Sequence, residues 1–426
     1  MNSFNGKRLL ILSGTAPHVK VVKKARELGI YTIVADYLEP SRAAPAKLIS
    51  DENWNISLMD VDALIQKARN SHIDGVVAAW SDISQLPYSR ICEELELPCY
   101  GTVEQFKIMS NKSRFKALCR KNGVDVIPEY SLEDAATGNV QYPVVVKPAD
   151  SRASKGVSVC HTKQELQKGI ENALSNSASG SILIEKYIGG KNSFQVNYLF
   201  VDGKAYVLRT ADGYKGLVEE SLDRVALCSI SPSAYTNAFF SGANERFVNM
   251  MQSIGFQNGP VMAQGFYDEG AFRFYDPGLR FPAVDYEAIY KELYGVDLAE
   301  IMIFYALTGR MPQLTLSDEN AFLGGKTACI LYPTVGAGVV SEVDGIEQIR
   351  SDPSVYAFEC RYAPGDAVEW SFTTRQRFAE IIFLENGVRE IKKRIQTFQK
   401  TLKVLDSNGK DMIYKPFDVS RIVESD

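Results

Sequence analysis

The stretch that decides the fold is Tyr142-Pro-Val-Val-Val-Lys147-Pro-Ala-Asp-Ser-Arg-Ala-Ser-Lys-Gly156-Val157. An apolar, β-branched run ends in a lysine, and a small polar loop separates it from the next apolar run. A lysine at a strand end places a positive charge beside a phosphate, and small loop residues let backbone N–H groups approach phosphate oxygens. The G-x-x-x-x-G-K-[ST] spacing is absent, which argues against a P-loop enzyme. A solvated hairpin loop is the structural alternative.

A second informative segment is Ile182-Leu-Ile-Glu185-Lys186-Tyr187-Ile188-Gly189-Gly190. An apolar strand that turns at two glycines could serve a purine. The Glu185 backbone or side chain would meet the exocyclic amine, and the Ile188 N–H a ring nitrogen. The structural alternative is a strand edge that runs into a glycine turn.

A third segment carries Gln264, Asp276 and Arg280, in two apolar runs that predict a hairpin around Asp268-Glu269-Gly270. On paired strands, Gln264 and Asp276 could direct two oxygen ligands at one point, and Mg²⁺ prefers oxygen ligands. Arg280 could hold a phosphate or a carboxylate. Taken singly, Gln264 is a strand residue and Asp276-Pro-Gly is a turn.

Composition bounds the class of protein. The chain has 426 residues, 45% of them hydrophobic and 23% charged, which fits two to four packed domains. A net charge of −5 argues against a general nucleic-acid binder, and three histidines leave little material for a zinc site or a Ser-His-Asp triad. Seven scattered cysteines without C-x-x-C indicate reduced thiols. No apolar run approaches the length of a membrane span, and we expect a cytoplasmic protein.

The spacing of apolar runs predicts two kinds of architecture. Strands at Leu9–Ser13, Tyr31–Ala35 and Asp74–Trp80 alternate with helices, which predicts a doubly wound parallel sheet, and a further strand is predicted at Pro98–Gly101. After about Thr102 the pattern becomes α+β, with antiparallel hairpins. Short β runs and a basic helix end the chain.

Together, the three segments resemble the ATP-grasp superfamily, and most closely the carboxylate–amine ligases that include biotin carboxylase, carbamoyl-phosphate synthetase and the amino-acid ligases. The resemblance covers the whole chain and implies a mixed α/β and α+β fold. Residues 1–102 would form a pre-ATP-grasp domain with a doubly wound parallel sheet. Residues 103–310 would form the ATP-grasp domain, with a lid subdomain at about 122–187, and residues 311–426 a biotin-carboxylase-like α+β domain.

The resemblance also implies roles for individual residues. Lys147 and Arg280 would be catalytic, and Gln264 and Asp276 would bind the metal. The nucleotide would be bound by Lys112, Lys147, Ser151, Ser154, Lys155, Gly156, Val157, Glu185, Lys186, Tyr187, Ile188 and Asn192.

Some of these positions depart from the family pattern. Asn192 and Gln264 stand where the family usually has glutamates, and Gly278 replaces an asparagine. Asp268 and Glu269 could supply a missing carboxylate, or could simply form the hairpin turn.

The implied activity is that of an ATP-dependent ligase that uses Mg²⁺ and releases ADP and phosphate. A small-molecule carboxylic acid would be activated as an acyl phosphate and captured by an amine or another nucleophile. Nucleic-acid and membrane partners are not expected, and a homodimer is the default assembly. A degenerate ATP-grasp protein that binds ATP without chemistry is one alternative. An oxidoreductase is another, although Gly14 alone remains of the G-x-G-x-x-G fingerprint.

Overall fold

The computed structural model describes residues 4–150, 155–189, 192–216, 225–283, 286–371 and 374–424. In the described chain, no helix is long and apolar enough to cross a membrane.

The first part of the chain alternates strands and helices, as predicted. Its elements are β1 (Arg8–Leu12), α1 (Val19–Glu27), β2 (Tyr31–Ala35), α2 (Pro45–Ile49), β3 (Glu52–Trp54), α3 (Val61–Asn70), β4 (Gly75–Val77) and α4 (Gln85–Glu94). All paired strands are parallel, in the order β3-β2-β1-β4. The chain order reverses between β1 and β4, and ligands of doubly wound sheets bind beyond the C-terminal ends of such strands.

One prediction for this region is wrong, because Pro98–Gly101 is not a strand. Proline lacks the N–H group that a hydrogen bond of a β-ladder needs. The apolar residue Tyr100 is buried in the core without being part of a strand. The Tyr100 ring stacks on Tyr88 at 4.9 Å, and its hydroxyl donates to the carbonyl of Leu279 at 2.9 Å.

The next part forms a small, separate layer. Its elements are α5 (Val103–Met109), α6 (Lys112–Lys121), β5 (Glu129–Tyr130), α7 (Leu132–Thr137), β6 (Val144–Pro148), β7 (Ser158–Cys160), α8 (Lys163–Ser175) and β8 (Ile182–Lys186). The four strands form an antiparallel sheet in the order β5-β8-β6-β7. The apolar core of this sheet is a cluster of its own, which includes Val144, Val146, Leu166 and Ile184.

A large antiparallel sheet follows and reaches into the last part of the chain. Its elements, with the helices between them, are β9 (Ser193–Val201), β10 (Lys204–Lys215), β11 (Ala226–Ser231), α9 (Thr236–Gly242), α10 (Asn244–Ser253), β12 (Gly259–Asp268), β13 (Ala271–Gly278), α11 (Glu287–Tyr294), α12 (Leu298–Thr308) and β14 (Thr327–Leu331). The remaining elements are β15 (Gly338–Val339), β16 (Glu342–Asp344), α13 (Ile346–Arg350), β17 (Val355–Cys360), β18 (Ala367–Val368), β19 (Ala379–Glu385), α14 (Val388–Thr401) and β20 (Lys403–Leu405).

The order of the large sheet is β13-β12-β9-β10-β11-β14-β19-β17, so one sheet crosses residue 310, the proposed boundary of the third domain. We keep the division into 1–102, 103–310 and 311–426 as a proposal.

The two faces of this sheet have different chemistry. Successive side chains of a strand point to opposite faces. On β9, Phe194 and Tyr198 pack against Phe239 and Phe247 of the helices α9 and α10, with ring centroids 5.1 and 5.4 Å apart. The opposite alternation on β9 includes the polar residues Ser193, Gln195 and Asn197, and the predicted metal ligand Gln264 lies opposite Gln195 on the neighbouring strand β12.

Candidate functional site

Lys147 and Glu185 form a buried ion pair between neighbouring strands. Lys147 lies near the end of β6 and Glu185 near the end of β8, and their side chains are almost fully buried. The Lys147 Nζ lies 2.8 Å from one Glu185 oxygen, and Lys116 Nζ contacts the other. Burial lowers the pKa of Lys147 while Glu185 opposes that shift. Burial raises the pKa of Glu185, but Lys147 and Lys116 outweigh it, so this pKa is lowered and the carboxylate stays ionised.

Lys116 is a site residue that sequence reasoning missed. It is completely buried on α6, where its ammonium also contacts Glu129 at 2.6 Å and the carbonyl of Ile127 at 3.4 Å. Lys112 and Lys116 stand four residues apart and therefore share a face of the helix. The four-residue spacing from the predicted Lys112 is the sequence signal from which Lys116 could have been predicted.

Lys112 connects this cluster to the large sheet. It is the first residue of α6, after the N-cap Asn111, whose side chain accepts from Arg114 N. The Lys112 amide donates to the carbonyl of Ala149 at 3.2 Å, and its Nζ lies 3.8 Å from Asp276. The helix therefore places a cation between the loop after β6 and the predicted metal ligand.

The predicted metal ligands, Gln264 and Asp276, lie directly opposite each other on β12 and β13. The Tyr275 hydroxyl donates to Gln264 Oε1 at 3.3 Å, and the Tyr275 ring lies 5.5 Å from Lys147 Nζ. No group of three or more His, Cys, Asp or Glu residues that could hold a metal occurs in the described ranges. One carboxylate and one amide oxygen suit a hard cation that keeps waters and phosphate oxygens as its other ligands.

Asp268 and Glu269 have their contacts at the hairpin turn. Lys186 Nζ lies 3.5 Å from both carboxylates, and Arg273 Nε lies 3.2 Å from Asp268. Glu269 occupies a positive φ of 51° in the turn. The sequence left open whether Asp268 and Glu269 bind a metal or form the hairpin turn, and these contacts support the role in the turn.

The predicted adenine hinge is held by backbone hydrogen bonds. The Lys186 amide donates to the carbonyl of Pro128 at 2.9 Å, and the Tyr187 amide to that of Pro143 at 3.1 Å. The Ile188 side chain is buried, and Asn192 directly precedes β9. Because Lys116 and Lys147 bind the Glu185 carboxylate, the Glu185 backbone is the better candidate for an adenine contact.

The predicted phosphate loop is described only in part. Ser151 and Ser154 lie outside the described residues. Lys155, Gly156 and Val157 precede β7, and Gly156 has a φ of +74°. A Cβ at Gly156 would lie 2.6 Å from the Asn176 Cβ, so the close approach to α8 requires glycine.

Arg280 meets the first part of the chain. Its Nε contacts the carboxylate of Asp82, which follows β4, and Nη1 donates to the carbonyl of Phe281 at 3.1 Å. Asp82 was not singled out from the sequence, because an acidic residue after a strand has no distinctive spacing. The contact places Arg280 beside the crevice of the parallel sheet.

Comparison with known proteins gives the family context. Residues 109–206 match the family described as D-ala D-ala ligase C-terminus. Biotin carboxylase 1 of Bacillus subtilis is 26% identical over 202 residues, which are 43% of this chain and 45% of the carboxylase. The chain thus spans less than half the length of that relative.

Solved structures resemble almost the whole chain. The L-amino acid ligase from Bacillus licheniformis has a TM-score of 0.75 at 19% identity, over 95% of this chain and all of that one. The biotin carboxylase domain of the Hydrogenobacter thermophilus 2-oxoglutarate carboxylase, in complex with MgADP, ADP and bicarbonate, has a TM-score of 0.74 at 18% identity, over 93% and 90% of the two chains.

These relatives are ligases and carboxylases by name, and one of the solved structures holds MgADP. At such identities the structural likeness shows the fold. The segment match and the fold together confirm the predicted resemblance: the chain is similar to the ATP-grasp carboxylate–amine ligases, and it has their fold.

Proposed function

We propose that the protein is an ATP-dependent carboxylate–amine ligase. A carboxylate oxygen of the acid attacks the γ-phosphorus of ATP, the bond to the β-phosphate oxygen breaks, and an acyl phosphate and ADP result. The amine then attacks the acyl carbon, phosphate leaves, and an amide forms with loss of a proton from nitrogen. The observation that carries this proposal is the meeting of Lys147, Lys112, Gln264 and Asp276 from three distant segments.

The lysines have the properties that phosphate binding requires. Phosphoryl transfer depends on positioning and charge neutralisation more than on an enzyme nucleophile. Lys147 and Lys112 would hold the phosphates together with the backbone of 151–157. Glu185 opposes the lowering of the Lys147 pKa by burial and fixes the direction of the Lys147 side chain, and Lys116 helps to keep Glu185 ionised.

The acid side of the reaction would use Arg280. Its Nε is held by Asp82, and its Nη2 has no hydrogen-bond partner among the residues that the structure describes. That group can donate to a transferred phosphoryl oxygen. Gln264 and Asp276 would hold Mg²⁺, which in such sites neutralises charge on the β- and γ-phosphates.

The two alternatives have less support. A degenerate binder is motivated by Gln264 and Asn192, but Asp276, Lys147 and Lys112 retain the main charges of the site. For an oxidoreductase, Asp36 would have to bind a ribose. Its carboxylate instead accepts from the amides of Gly14 at 2.8 Å and Leu38 at 3.0 Å.

Hydroxylamine trapping tests the proposal. With MgATP, hydroxylamine and a panel of carboxylic acids, we expect at least one acid to give a hydroxamate together with stoichiometric ADP. Lys147→Ala should abolish both products. ATP binding without acid-dependent ADP release across the panel would favour the degenerate alternative. A small-molecule acid and amine as partners, a homodimer and a cytoplasmic location remain parts of this proposal.

A further inference from the structure

Arg209 is a buried cation without a carboxylate partner. Its side chain on β10 is 2% exposed, and no carboxylate in the described part of the chain lies within ion-pairing distance. Nε donates to Ser231 Oγ at 2.8 Å, Nη2 to Ser229 Oγ at 2.7 Å, and Nη1 to Gln195 Oε1 at 3.1 Å. A guanidinium has more N–H donors than these three neutral acceptors use. Charge and hydrogen-bonding capacity therefore remain.

Other buried cations of the chain are satisfied. Lys116 and Lys147 bind Glu185. Lys47, which is also 2% exposed, donates to Asn55 Oδ1 and to three carbonyl oxygens, those of Asp36, Leu38 and Trp54. The ammonium of Lys47 has as many acceptors as it can use, whereas the guanidinium of Arg209 does not.

A buried polar atom close to Arg209 lacks a hydrogen-bond partner among the described residues. Asn197 lies opposite Arg209 on β9, and its buried Oδ1 has no hydrogen-bond partner among the described residues. Arg377 lies 4.0 Å from the Tyr332 ring, and its buried Nε likewise lacks a described partner. Burial raises the pKa of Tyr332, and both Arg377 and Arg209 oppose the shift, so the two guanidiniums share one neighbourhood. Buried polar atoms without partners are rare, and one that faces a buried cation on the neighbouring strand indicates a site for a ligand.

The position of Arg209 relates it to the metal ligands. Gln264 pairs with both Asp276 and Gln195 across neighbouring strands, and Gln195 accepts from Arg209. Asp276, Gln264 and Gln195 thus lie opposite one another on neighbouring strands, and Arg209, opposite Asn197 on β10, joins them through its hydrogen bond to Gln195. Adjacent strands are about 4.8 Å apart, so β12 and β10 are separated by roughly 10 Å. Gln195 and Ser229, on either side of the guanidinium, are partly exposed.

We propose that Arg209 binds a carboxylate of the acid substrate. The planar fork of a guanidinium matches a carboxylate with two parallel hydrogen bonds. Arg280, the cation that the sequence pointed to, already has Asp82 as a carboxylate partner, whereas Arg209 has no carboxylate partner among the described residues. The Tyr286 ring lies 4.4 Å from the guanidinium and forms one side of the site. This inference rests on the proposed function, because it assigns an acid as the ligand.

Thermal unfolding with acetate, succinate and neutral succinamide, at matched ionic strength and without nucleotide, tests the assignment. The variants are Arg209→Met, Arg209→Lys and, as a matched control, Arg394→Met. Arg394 is distant from Arg209 in the sequence, and its guanidinium forms ion pairs with Asp352 at 2.5 Å and Glu385 at 2.8 Å. A ligand that binds only the native state raises the melting temperature. We expect carboxylates but not succinamide to stabilise the wild-type protein, and we expect Arg209→Met to lose that shift and Arg394→Met to keep it.

The comparison of acetate with succinate shows whether the site binds a monocarboxylate or requires a dicarboxylate. A shift with acetate indicates a site for a single carboxylate, and a shift with succinate alone indicates a second carboxylate of a diacid. Arg209→Lys, which keeps the charge without the fork, should show a reduced shift. The assignment is overturned if neither carboxylate stabilises the wild type, or if Arg209→Met or Arg209→Lys retains the full shift. Stabilisation by MgATP should persist in Arg209→Met, so failure here is distinguishable from failure of the ligase proposal.

Discussion

Lys147 and Arg209 are buried to a similar depth, yet the protein surrounds them differently. Lys147 has a carboxylate at 2.8 Å that a second lysine, Lys116, also binds. Arg209 has three neutral oxygens and no carboxylate among the described residues. A cation with its counterion in place is fixed before any ligand arrives, whereas a cation without one gains most from a ligand that brings negative charge. On this account the nucleotide side is preorganised, and the acid side is completed by its substrate.

Removal of Lys116 should have the largest effect on stability. Lys116→Met leaves the buried Glu185 and the partly buried Glu129 with one ionic partner fewer each, and breaking a buried ion pair costs about 3–5 kcal/mol. Arg209→Met removes a buried charge that has no counterion, so its free energy of unfolding should stay the same or rise. Urea unfolding of both variants measures the contrast. An equal loss of stability in the two variants would contradict the difference that we describe.

Lys147→Ala should have the largest effect on turnover. Loss of one charge-stabilising donor lowers kcat by about 10²–10³-fold. Lys116 still neutralises Glu185 in this variant, so circular dichroism should show a native fold. Acid-dependent ADP release measures the effect, with Lys147→Arg as the charge-conserving control. Turnover within about threefold of the wild type would remove Lys147 from the site.

Asp276→Asn should raise the Mg²⁺ concentration needed for half-maximal activity by about tenfold or more, since the site would then lack a carboxylate. Asp125→Asn is a matched control, because the two side chains are similarly exposed, 41% and 43%, and each faces a cation. Titration of ADP release with Mg²⁺ measures the effect. An equal Mg²⁺ requirement in the two variants would place the metal elsewhere.

Asp212, on the opposite face of β10 from Arg209, provides a smaller, pH-dependent effect. Burial raises the pKa of Asp212 to about 6, against the opposing hydrogen bonds from Ser233 Oγ at 2.6 Å and Ala234 N at 2.8 Å. Between pH 4 and 6 the folded state therefore binds more protons than the unfolded state, and stability falls as pH rises. From pH 5 to 7 this group should lower the free energy of unfolding by about 1 kcal/mol. Asp212→Asn should lack that component in urea titrations, and an unchanged pH slope would refute it.

The sequence could predict what local patterns encode. Apolar runs and their spacing predicted the parallel sheet of the first part and the hairpin that carries Gln264 and Asp276, whereas the lid at about 122–187 was implied only by the family resemblance. The prediction from apolar runs was wrong at Pro98–Gly101, where Tyr100 is apolar because it packs in the core against Tyr88 and not because it belongs to a strand. Lys116 and Arg209 were missed because their meaning depends on partners from distant strands. The β10 bulge between Val207 and Arg209 also breaks the alternation that would have placed Arg209 on the polar face.

Thermal unfolding with ATP, ADP and NAD⁺, each with and without Mg²⁺, tests the central claim most directly. We predict that MgATP raises the melting temperature of the wild-type protein, that NAD⁺ does not, and that Lys147→Ala reduces the MgATP shift. A rise in melting temperature with ATP that is the same with and without Mg²⁺ would favour a degenerate nucleotide binder. No shift with either adenine nucleotide would contradict the account, because the ATP-grasp fold would then lack its nucleotide site.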